Sequence, residues 1–537
     1  MFNAPSQPFL PKHIPMDGGG LDYLGLRWVN LKLLADQLLP GINNATQDVG
    51  TYCLATWISW KFRHLCTSDR DFTEENYAQF REAAEVAVSY AMRPGSPANA
   101  DLGEPHRKIG VRQKYSPPGE LSFRNAGRGS STSIFSAPLY GPSLRYLGLL
   151  SDAAAIDLKS SEISIPVDDE RVRLIAETLD QSLSLTGAYQ KLARLGTVSL
   201  SGKDLDELAL AGFHPAYFQS VGKKIKRAFL SMLVPGDISN GRTATSRLLV
   251  STANKYPGKT LEEVRAIWHT GLVADEKPFR SATTENESHR RLWAVFQARQ
   301  FQRYVIELFL RCFEIGLRDG LCSIEDMAIR FHRESGLGKI KMRELFAGEA
   351  ADISKSSDWL RVASQWNRKV GPSNERYVGS DYWPPPDDNQ LCDFAFRRLA
   401  RWWIPMNEWL QLPTCQDWLA LGGEDRIGTK WFHQWVRDRL DQPVKSVLHE
   451  ILEKLVFAQH VRVALSRFDG ESQRLRFALG DRGIVAVTSI EKLTIEIPGW
   501  TEDRLGALKN LLSDLSVLRV DNDGKIYPGD LATEVSL

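Results

Sequence analysis

Residues 284–317 constrain the fold of this 537-residue chain more than any other segment. Apolar side chains recur there three or four residues apart, which is the spacing of one buried helix face. Thr284 and Glu287 have the spacing of a capping box, a side-chain pattern that starts helices. The pattern predicts one long helix whose buried stripe consists of Leu292, Phe296, Val305, Leu308, Phe309 and Phe313.

Helical spacing of apolar residues recurs along most of the chain, whereas strand patterns are few. Hairpins are predicted around the turns at residues 480–483 and 521–524. The fold class is therefore predicted to be mainly α with a minor β component (α+β), in several domains. The C-terminal helix and ribbon also have the outline of a winged helix, which unrelated α+β segments share. Further helices are predicted at residues 26–39, 46–65 (capped by Thr46), 170–195, 202–233 (broken at 212–215), 443–468 and 501–515 (capped by Thr501).

A chain of this length exceeds the usual size of one domain, so several folding units are expected. The proline-rich start with the glycine run at 18–20 predicts a flexible leader, and the frequent Pro, Gly and Ser at 93–142 predict a long loop. Three consecutive prolines at 384–386 forbid helix and predict a stiff linker. The predicted division is a leader (1–20), an N-terminal helical domain (21–150), a central helical domain (151–382), a proline-rich linker (383–390) and a tryptophan-rich, winged-helix-like C-terminal region (391–537).

Composition indicates an ordinary globular protein. The chain is 43% hydrophobic and 25% charged, which excludes a disordered or fibrous protein. Its 67 basic and 66 acidic side chains leave a net charge of +1, so contact with nucleic acid would depend on a local patch. The N-terminus lacks the pattern of an export signal, and no apolar run is long enough to cross a bilayer. Together with six scattered cysteines, this predicts a cytoplasmic protein with reduced thiols and no membrane partner.

No segment has the spacing of a known catalytic, metal or cofactor motif. The loop at 127–131 (GRGSS) lacks the lysine and the preceding strand of a nucleotide-binding P-loop. The acidic run at 168–170 (DDE) lacks the downstream Glu-x-Lys of a metal-dependent nuclease and fits the first turn of a helix instead. Cysteine and histidine spacing does not match a zinc site. We therefore predict no catalytic residue, no metal site and no cofactor.

Basic side chains concentrate in three segments. The densest has four cations within the five residues 223–227, which leaves little room for internal pairing. Arginine beside aromatic residues suits phosphate contact and base stacking, although a solvated helix face and a protein-binding face are alternatives. The predicted nucleic-acid-binding residues are Lys223, Lys224, Lys226, Arg227, Arg290, Arg291, Arg397, Arg398 and Arg401. His289, Arg299 and Arg303 extend the second segment along its predicted helix.

Several short blocks stand out by their residue order. Residues 24–27 read LGLR, residues 38–46 read LLPGINNAT, and an aromatic helix is predicted at 52–60. A further block, APLYG followed after two residues by LRYLGL, occupies residues 137–149. These blocks resemble a group of uncharacterised bacterial proteins in which a Leu-Leu-Pro-Gly turn and a threonine lead into an aromatic helix. The resemblance implies a gene context of phage defence and mobile elements, and it implies no catalytic residue. The chain has Gln47 and Asp48 where the group has a basic residue.

The sequence-based hypothesis is an accessory component of a bacterial anti-phage defence or mobile-element system without its own catalysis. Its expected partners are DNA or RNA, or proteins encoded nearby. One alternative is a metal-dependent nuclease whose carboxylates are dispersed along the chain, and another is a purely structural scaffold subunit. The three hypotheses differ in whether nucleic acid is bound, cleaved or not contacted at all.

Overall fold

The computed structural model is mainly helical with a minor β component, which confirms the predicted fold class. The predicted leader, the loop at 127–131 and most of the predicted linker at 383–390 lie outside the described residues. Among the described residues, every helix is too short or too polar to cross a lipid bilayer. The structure describes residues 22–106, 119–123, 133–136, 139–152, 163–237, 239–271, 273, 277–337, 339–351, 388–410, 415–467, 475–487 and 501–536.

The helices follow the predicted pattern, with some of the predicted helices divided into shorter pieces. The helix predicted at 202–233 breaks at Gly212, whose φ of 145° lies in the region that favours glycine. Five-residue π-helical turns lie at Leu34–Leu38 and Ala209–Phe213, a longer one at Ile451–Ala458, and 3-10 turns at Pro215–Ser220 and Asp388–Gln390. The α-helices are α1 (Arg27–Leu33), α2 (Val49–Leu65), α3 (Glu74–Ala91), α4 (Pro97–Leu102), α5 (Gly141–Tyr146), α6 (Glu170–Ser184), α7 (Tyr189–Leu192), α8 (Gly202–Leu208), α9 (Lys223–Leu233), α10 (Gly241–Lys255), α11 (Leu261–Thr270), α12 (Thr284–Arg318), α13 (Ile324–Glu334), α14 (Met342–Ala351), α15 (Leu391–Trp409), α16 (Gln416–Ala420), α17 (Thr429–Arg437), α18 (Val444–Glu450), α19 (Gln459–Ser466), α20 (Leu505–Asp514) and α21 (Ala532–Ser536).

The strands are short and pair in antiparallel fashion. They are β1 (Leu150–Asp152), β2 (Ser164–Pro166), β3 (Lys259–Thr260), β4 (Phe477–Gly480), β5 (Gly483–Ala486), β6 (Leu518–Val520) and β7 (Lys525–Pro528). Strand β1 pairs with β2 and β4 with β5, while β3, β7 and β6 form a three-stranded sheet in that order. Both predicted hairpins are confirmed. Strand β3, from a distant part of the chain, is the third strand of the C-terminal ribbon. The winged-helix character of the C-terminal region stays a prediction.

The chain forms two compact units, and each is assembled from segments that are far apart in sequence. Unit 1 comprises residues 1–33 and 262–501. Unit 2 comprises residues 34–261 and 502–537. The domain boundaries predicted from sequence stay predictions.

Helix α12 is the central element of unit 1. The predicted stripe is buried at Phe296, Val305, Leu308, Phe309 and Phe313, whereas Leu292 is half-buried. Helix α15 packs along α12: the rings of Phe309 and Phe396 meet edge to face with centroids 5.1 Å apart, and the Trp402 indole N–H donates to the Ala298 carbonyl at 3.1 Å. Packing of α15 along α12 therefore builds a large part of the core of this unit.

The predicted helix caps are wrong by a few residues. Thr283 rather than Thr284 caps α12, and its hydroxyl accepts a hydrogen bond from the Asn286 N–H at 3.1 Å. Asp48 rather than Thr46 precedes α2, because the Thr46 hydroxyl closes the previous turn by donating to the Asn43 carbonyl at 2.8 Å. Helix α20 begins after Arg504 rather than Thr501. Local residue preference thus identified the helices but not the residue at which each of them begins.

In unit 2 the Leu-Leu-Pro-Gly turn is bound by several other segments. The Asn43 amide donates to the Leu139 carbonyl at 2.7 Å, and the Tyr140 hydroxyl accepts from the Asp48 N–H at 3.2 Å. Gly41, with a φ of +76°, lies against the Tyr146 ring, where a Cβ would not fit. Two of the sequence blocks, at 38–46 and at 139–149, therefore meet in one structural cluster.

Arg242 at the start of α10 holds this turn from the opposite side. It is 2% exposed and donates to the Pro40 carbonyl at 2.8 Å and to the Met232 carbonyl at 3.2 Å, with a further bond to Leu233. Burial lowers the pKa of Arg242, and electrostatic interaction with Tyr146 and Tyr52 acts in the opposite direction. The buried guanidinium thus supplies donors that three backbone carbonyls require.

We expect Arg242→Met to lower the free energy of unfolding by about 2–3 kcal/mol, because the buried carbonyls lose their donors while the packed volume is largely kept. Urea unfolding followed by tryptophan fluorescence measures the change. Lys255→Met, an exposed residue at the other end of α10, is the control and should change stability by less than about 0.5 kcal/mol. Equal stability of the two variants would contradict a structural role for Arg242.

Candidate functional site

Helix α9 in unit 2 carries the densest predicted basic run, and the structure divides that run between two faces. The side chains of Lys223 and Arg227 are 61% and 57% exposed, and Lys224 is exposed as well. Lys226 is only 7% exposed and lies among the buried residues of the helix. Three of the four predicted cations are therefore accessible from outside.

The prediction that these cations have little room for internal pairing is wrong. Lys223 Nζ lies 3.2 Å from Asp530 Oδ2, and Arg227 Nε donates to Glu534 Oε1 at 2.7 Å. Both acids belong to the C-terminal end of the chain, so local spacing did not reveal them. Because both pairs are largely solvent-exposed, each contributes little stability and another anion can compete for the cation.

Lys226 connects α9 to the end of α20. Its Nζ donates to the Gln219 carbonyl at 2.8 Å and to Ser516 Oγ at 3.0 Å. Burial lowers the pKa of Lys226, while the charges of Asp514 and Asp530 act in the opposite direction. Gln219 in turn donates from its side-chain amide to Asp514 Oδ1 at 3.0 Å. Lys226 is thus a positioning residue between α9 and Asp514 rather than a surface contact.

Asp48, His106 and Asp514 form a cluster of potential metal ligands beside α9, which we call the Asp–His–Asp cluster. One ligand atom from each lies within 4.8 Å of the others. His106 Nε2 is 3.0 Å from Asp514 Oδ1, and the His106 backbone N–H donates to Asp48 Oδ1 at 2.8 Å. Asp48 and Asp514 are 2% and 4% exposed, whereas the His106 side chain is 28% exposed. The cluster therefore has two buried carboxylates and one accessible imidazole.

The electrostatics of the cluster follow from its two carboxylates. Burial acts to lower the pKa of His106, but the hydrogen bond to Asp514 and the charges of Asp514 and Asp48 outweigh burial and raise it. Asp514 Oδ2 also accepts the Val49 N–H at 3.0 Å, at the start of α2. A helix N-terminus favours negative charge, so this bond stabilises the carboxylate where it lies.

No sequence pattern singled out the Asp–His–Asp cluster. Asp48 precedes α2, His106 follows α4, and Asp514 is the last residue of α20. Each is an isolated polar residue in its own segment, and the segments meet only in the folded unit. A search for neighbouring ligands within one helix or loop misses such a set.

The thiol of Cys53, in the second turn of α2, lies in a buried environment that disfavours reactivity. It is 3% exposed and lines a small apolar cleft together with Gly50, Leu179 and Phe218. Burial raises the pKa of the Cys53 thiol well above its usual value, and the charge of Asp514 adds to this effect. The reactive thiolate form is therefore disfavoured.

In unit 1 the second predicted basic segment is held by carboxylate and carbonyl partners. Arg290 donates to Glu287 Oε1 at 2.6 Å and to the Trp268 carbonyl at 2.7 Å. Arg291 is 3.2 Å from the same carboxylate. Burial acts to raise the pKa of Glu287, but the two arginines and Ser281 outweigh it and lower the pKa to about 2. These arginines thus organise the first turns of α12.

Other members of that segment are buried rather than on a solvent face. His289, Arg299 and Arg303 are 7%, 2% and 5% exposed. Arg299 donates to the Ile427 carbonyl at 3.0 Å and to Thr429 Oγ1 at 3.1 Å. These three residues therefore do not extend the basic segment onto a solvent-exposed face, because other elements of unit 1 pack around α12.

The third predicted segment, on α15, is organised around one acid. Arg397 and Arg401 donate to the two oxygens of Glu349 at 2.8 and 2.6 Å, and Arg397 also reaches Asp393 at 2.8 Å. Arg398 lies over the Phe394 ring with its guanidinium carbon 4.5 Å from the centroid. The Glu349 side chain is 5% exposed, so these pairs tie α14 to α15.

Comparison of the chain with protein families, with curated proteins and with solved structures found no match. Of the three predicted basic segments, α9 presents the highest fraction of exposed cations, and it adjoins the Asp–His–Asp cluster through Lys226 and Gln219.

Proposed function

We propose that this protein is a cytoplasmic, nucleic-acid-binding accessory component of a bacterial anti-phage defence or mobile-element system, without its own catalysis. Helix α9 is the proposed contact surface. The observation that carries the proposal is the exposure of Lys223, Lys224 and Arg227 on one helix of 11 residues. The sequence resemblance supports the biological context, and buried free thiols at Cys53, Cys312 and Cys392 suit a reducing compartment.

The charge balance of α9 favours an anionic partner. Three exposed cations lie on the helix, and two of them pair with Asp530 and Glu534, so three minus two leaves one uncompensated positive charge on the surface. The paired cations are also available, because exposed ion pairs are usually worth less than about 1 kcal/mol. Nucleic-acid phosphates gain affinity from each cation by releasing counterions. A surface of this kind suits binding that is independent of base sequence.

We expect the triple variant Lys223→Ala, Lys224→Ala, Arg227→Ala to bind nucleic acid more weakly regardless of sequence. The plot of log affinity against log salt should flatten by about 0.9 for each duplex phosphate contact that is lost. Fluorescence anisotropy with labelled duplex and single-stranded oligonucleotides, across a salt series, measures both quantities. Lys226 is kept in this variant because it is buried.

Two further variants sharpen the test. Asp530→Asn with Glu534→Gln removes the competing carboxylates and should strengthen binding. The matched control is Arg343→Ala, Lys445→Ala, Arg462→Ala, which removes three exposed, ion-paired cations from unit 1 and should leave affinity unchanged. If the α9 variant and the control bind alike, α9 is not the contact surface. If the wild type binds no nucleic acid, the proposal fails and a protein partner becomes the better explanation.

A second candidate function is metal-dependent cleavage of nucleic acid, and the Asp–His–Asp cluster is the observation that favours it. Two carboxylates and an imidazole are ligands that such enzymes use to hold a catalytic ion. Incubation of plasmid DNA and single-stranded RNA with the protein and Mg²⁺, Mn²⁺ or Zn²⁺ tests it. Cleavage that requires His106 and is abolished by a chelator would replace the accessory function, while binding without cleavage would uphold it.

A further inference from the structure

The Asp–His–Asp cluster has the donor set of a metal site. It offers two carboxylate oxygens and one imidazole nitrogen within 4.8 Å of one another. Zinc binds these atoms at about 2.0–2.2 Å, which places neighbouring ligands about 3–4 Å apart. The 3.0 Å separation of His106 Nε2 and Asp514 Oδ1 is already close to that spacing. Little movement is needed for these atoms to surround an ion.

The position of the cluster is unlike that of an ordinary group of surface acids. Asp48 and Asp514 are almost fully buried, and two neighbouring carboxylates removed from water repel one another unless positive charge compensates them. His106 supplies one such charge when it is protonated. A divalent cation would supply two, and it would bind to both carboxylates and the imidazole at once.

Surrounding residues fix the orientation of the donor groups. The Val49 N–H and the Gln219 amide each donate to Asp514, at 3.0 Å in both cases. The Tyr140 hydroxyl accepts the Asp48 N–H at 3.2 Å and so holds the backbone that carries the second carboxylate. Partners of this kind, which orient the ligands without touching the ion, are a regular feature of protein metal sites.

We propose that Asp48, His106 and Asp514 bind a divalent first-row transition-metal ion of the Zn²⁺ class. The imidazole argues against Ca²⁺ and Mg²⁺, which prefer oxygen ligands throughout. Three protein ligands leave a fourth position for water or a bound group, as in catalytic rather than structural zinc sites. Access to that position is from the side of His106, the most exposed of the three ligands. The inference does not rest on nucleic-acid binding by α9.

Metal binding is tested on the full chain after removal of bound ions with a chelator and dialysis. Isothermal titration calorimetry with Zn²⁺ should show about one equivalent bound, and Co²⁺ as a substitute should give visible absorption bands typical of low coordination number. Zn²⁺ should also raise the melting temperature of the wild type, because a ligand that binds only the folded state stabilises it.

His106→Gln is the first variant, because His106 is the most exposed ligand and its loss disturbs packing least. Asp514→Asn is the second, since its amide oxygen still accepts the Val49 N–H. Each should weaken Zn²⁺ binding at least about tenfold and remove the Co²⁺ bands, while the metal-free far-UV spectrum stays that of the wild type. His449→Gln, which replaces a histidine of unit 1 that lies 3.8 Å from Glu325, is the control and should bind as the wild type does.

Three results would overturn the proposal. One is wild-type protein that binds neither Zn²⁺ nor Co²⁺ in stoichiometric amount. Another is a folded His106→Gln variant that binds as tightly as the wild type. The third is a loss of binding in His449→Gln that equals the loss in His106→Gln, since a site elsewhere would then account for the ion.

Discussion

Phe309→Ala should lower the free energy of unfolding by about 3–5 kcal/mol, the range for a fully buried aromatic residue. Phe309 is 1% exposed, and its ring packs edge to face on Phe396 across the contact between α12 and α15. Truncation removes this contact and leaves a cavity in the core of unit 1. Urea unfolding and calorimetry measure the loss.

The control for this prediction lies on the same helix. Arg318 is the last residue of α12, its side chain is 40% exposed, and it pairs with the neighbouring Asp319 at 3.0 Å. Arg318→Ala should therefore cost less than about 1 kcal/mol. If Phe309→Ala melts at the wild-type temperature, α12 is not the central packing element of unit 1.

Mild acid should destabilise unit 1, because four of its structurally described histidines are buried and have lowered pKa values. Burial is the main cause at each position and lowers the pKa to about 4 for His289, His433 and His460, and to about 3 for His269. An exposed histidine has a pKa of about 6.5, so the unfolded chain binds the proton more tightly than the folded one. Stability is therefore complete above about pH 6.5 and declines as the pH falls towards 4.

The geometry at His460 shows why its imidazole is neutral. Nδ1 lies 3.2 Å from the Tyr23 carbonyl, and Nε2 accepts the Arg476 backbone N–H at 3.0 Å. A proton on Nε2 would remove that acceptor and would face the nearby charges of Arg476 and Arg467, which also lower the pKa. For this residue, the loss of stability approaches about 3 kcal/mol at pH 4.

Urea unfolding between pH 7 and 4.5 measures this effect, with amide exchange in α19 reporting on unit 1. The series stops at pH 4.5 because carboxylates with lowered pKa values, such as Glu287 with a pKa of about 2, keep their charge at that pH. His460→Gln retains an acceptor for Arg476 and a donor for Tyr23 and should reduce the pH dependence. His64 is exposed, so the control variant His64→Gln should leave the pH dependence unchanged. A pH profile that is flat from 7 to 4.5 would contradict the prediction.

Features that depend on a few neighbouring residues could be predicted from the sequence. The 35-residue helix α12, the break at Gly212 and both hairpins follow from apolar spacing and turn residues. The residues at which the helices begin could not be predicted exactly from the sequence, because adjacent polar residues such as Thr283 and Thr284 suit a cap equally well. Which of them takes the extended conformation before the first turn depends on the chain that leads into the helix.

Charge patterns could be located from the sequence but not interpreted. The run at 223–227 lies on one helix as predicted, yet Lys226 is buried and two of its neighbours pair with acids from the C-terminus. Arg299 belongs to a predicted basic face and is instead buried against Thr429. Exposure and pairing depend on which helix packs beside which, and amphipathic spacing within one helix does not contain that information.

The Asp–His–Asp cluster is a set of potential metal ligands that tertiary packing creates and that no sequence motif predicts. Periodicity along α2 and α20 was enough to predict both helices, since burial of an apolar stripe is a local requirement. Asp48, His106 and Asp514 come together because the N-terminal end of α2, the segment after α4 and the C-terminal end of α20 converge within unit 2. Convergence of distant segments is a property of the whole hydrophobic core, and only its packing brings these three side chains within 4.8 Å of one another.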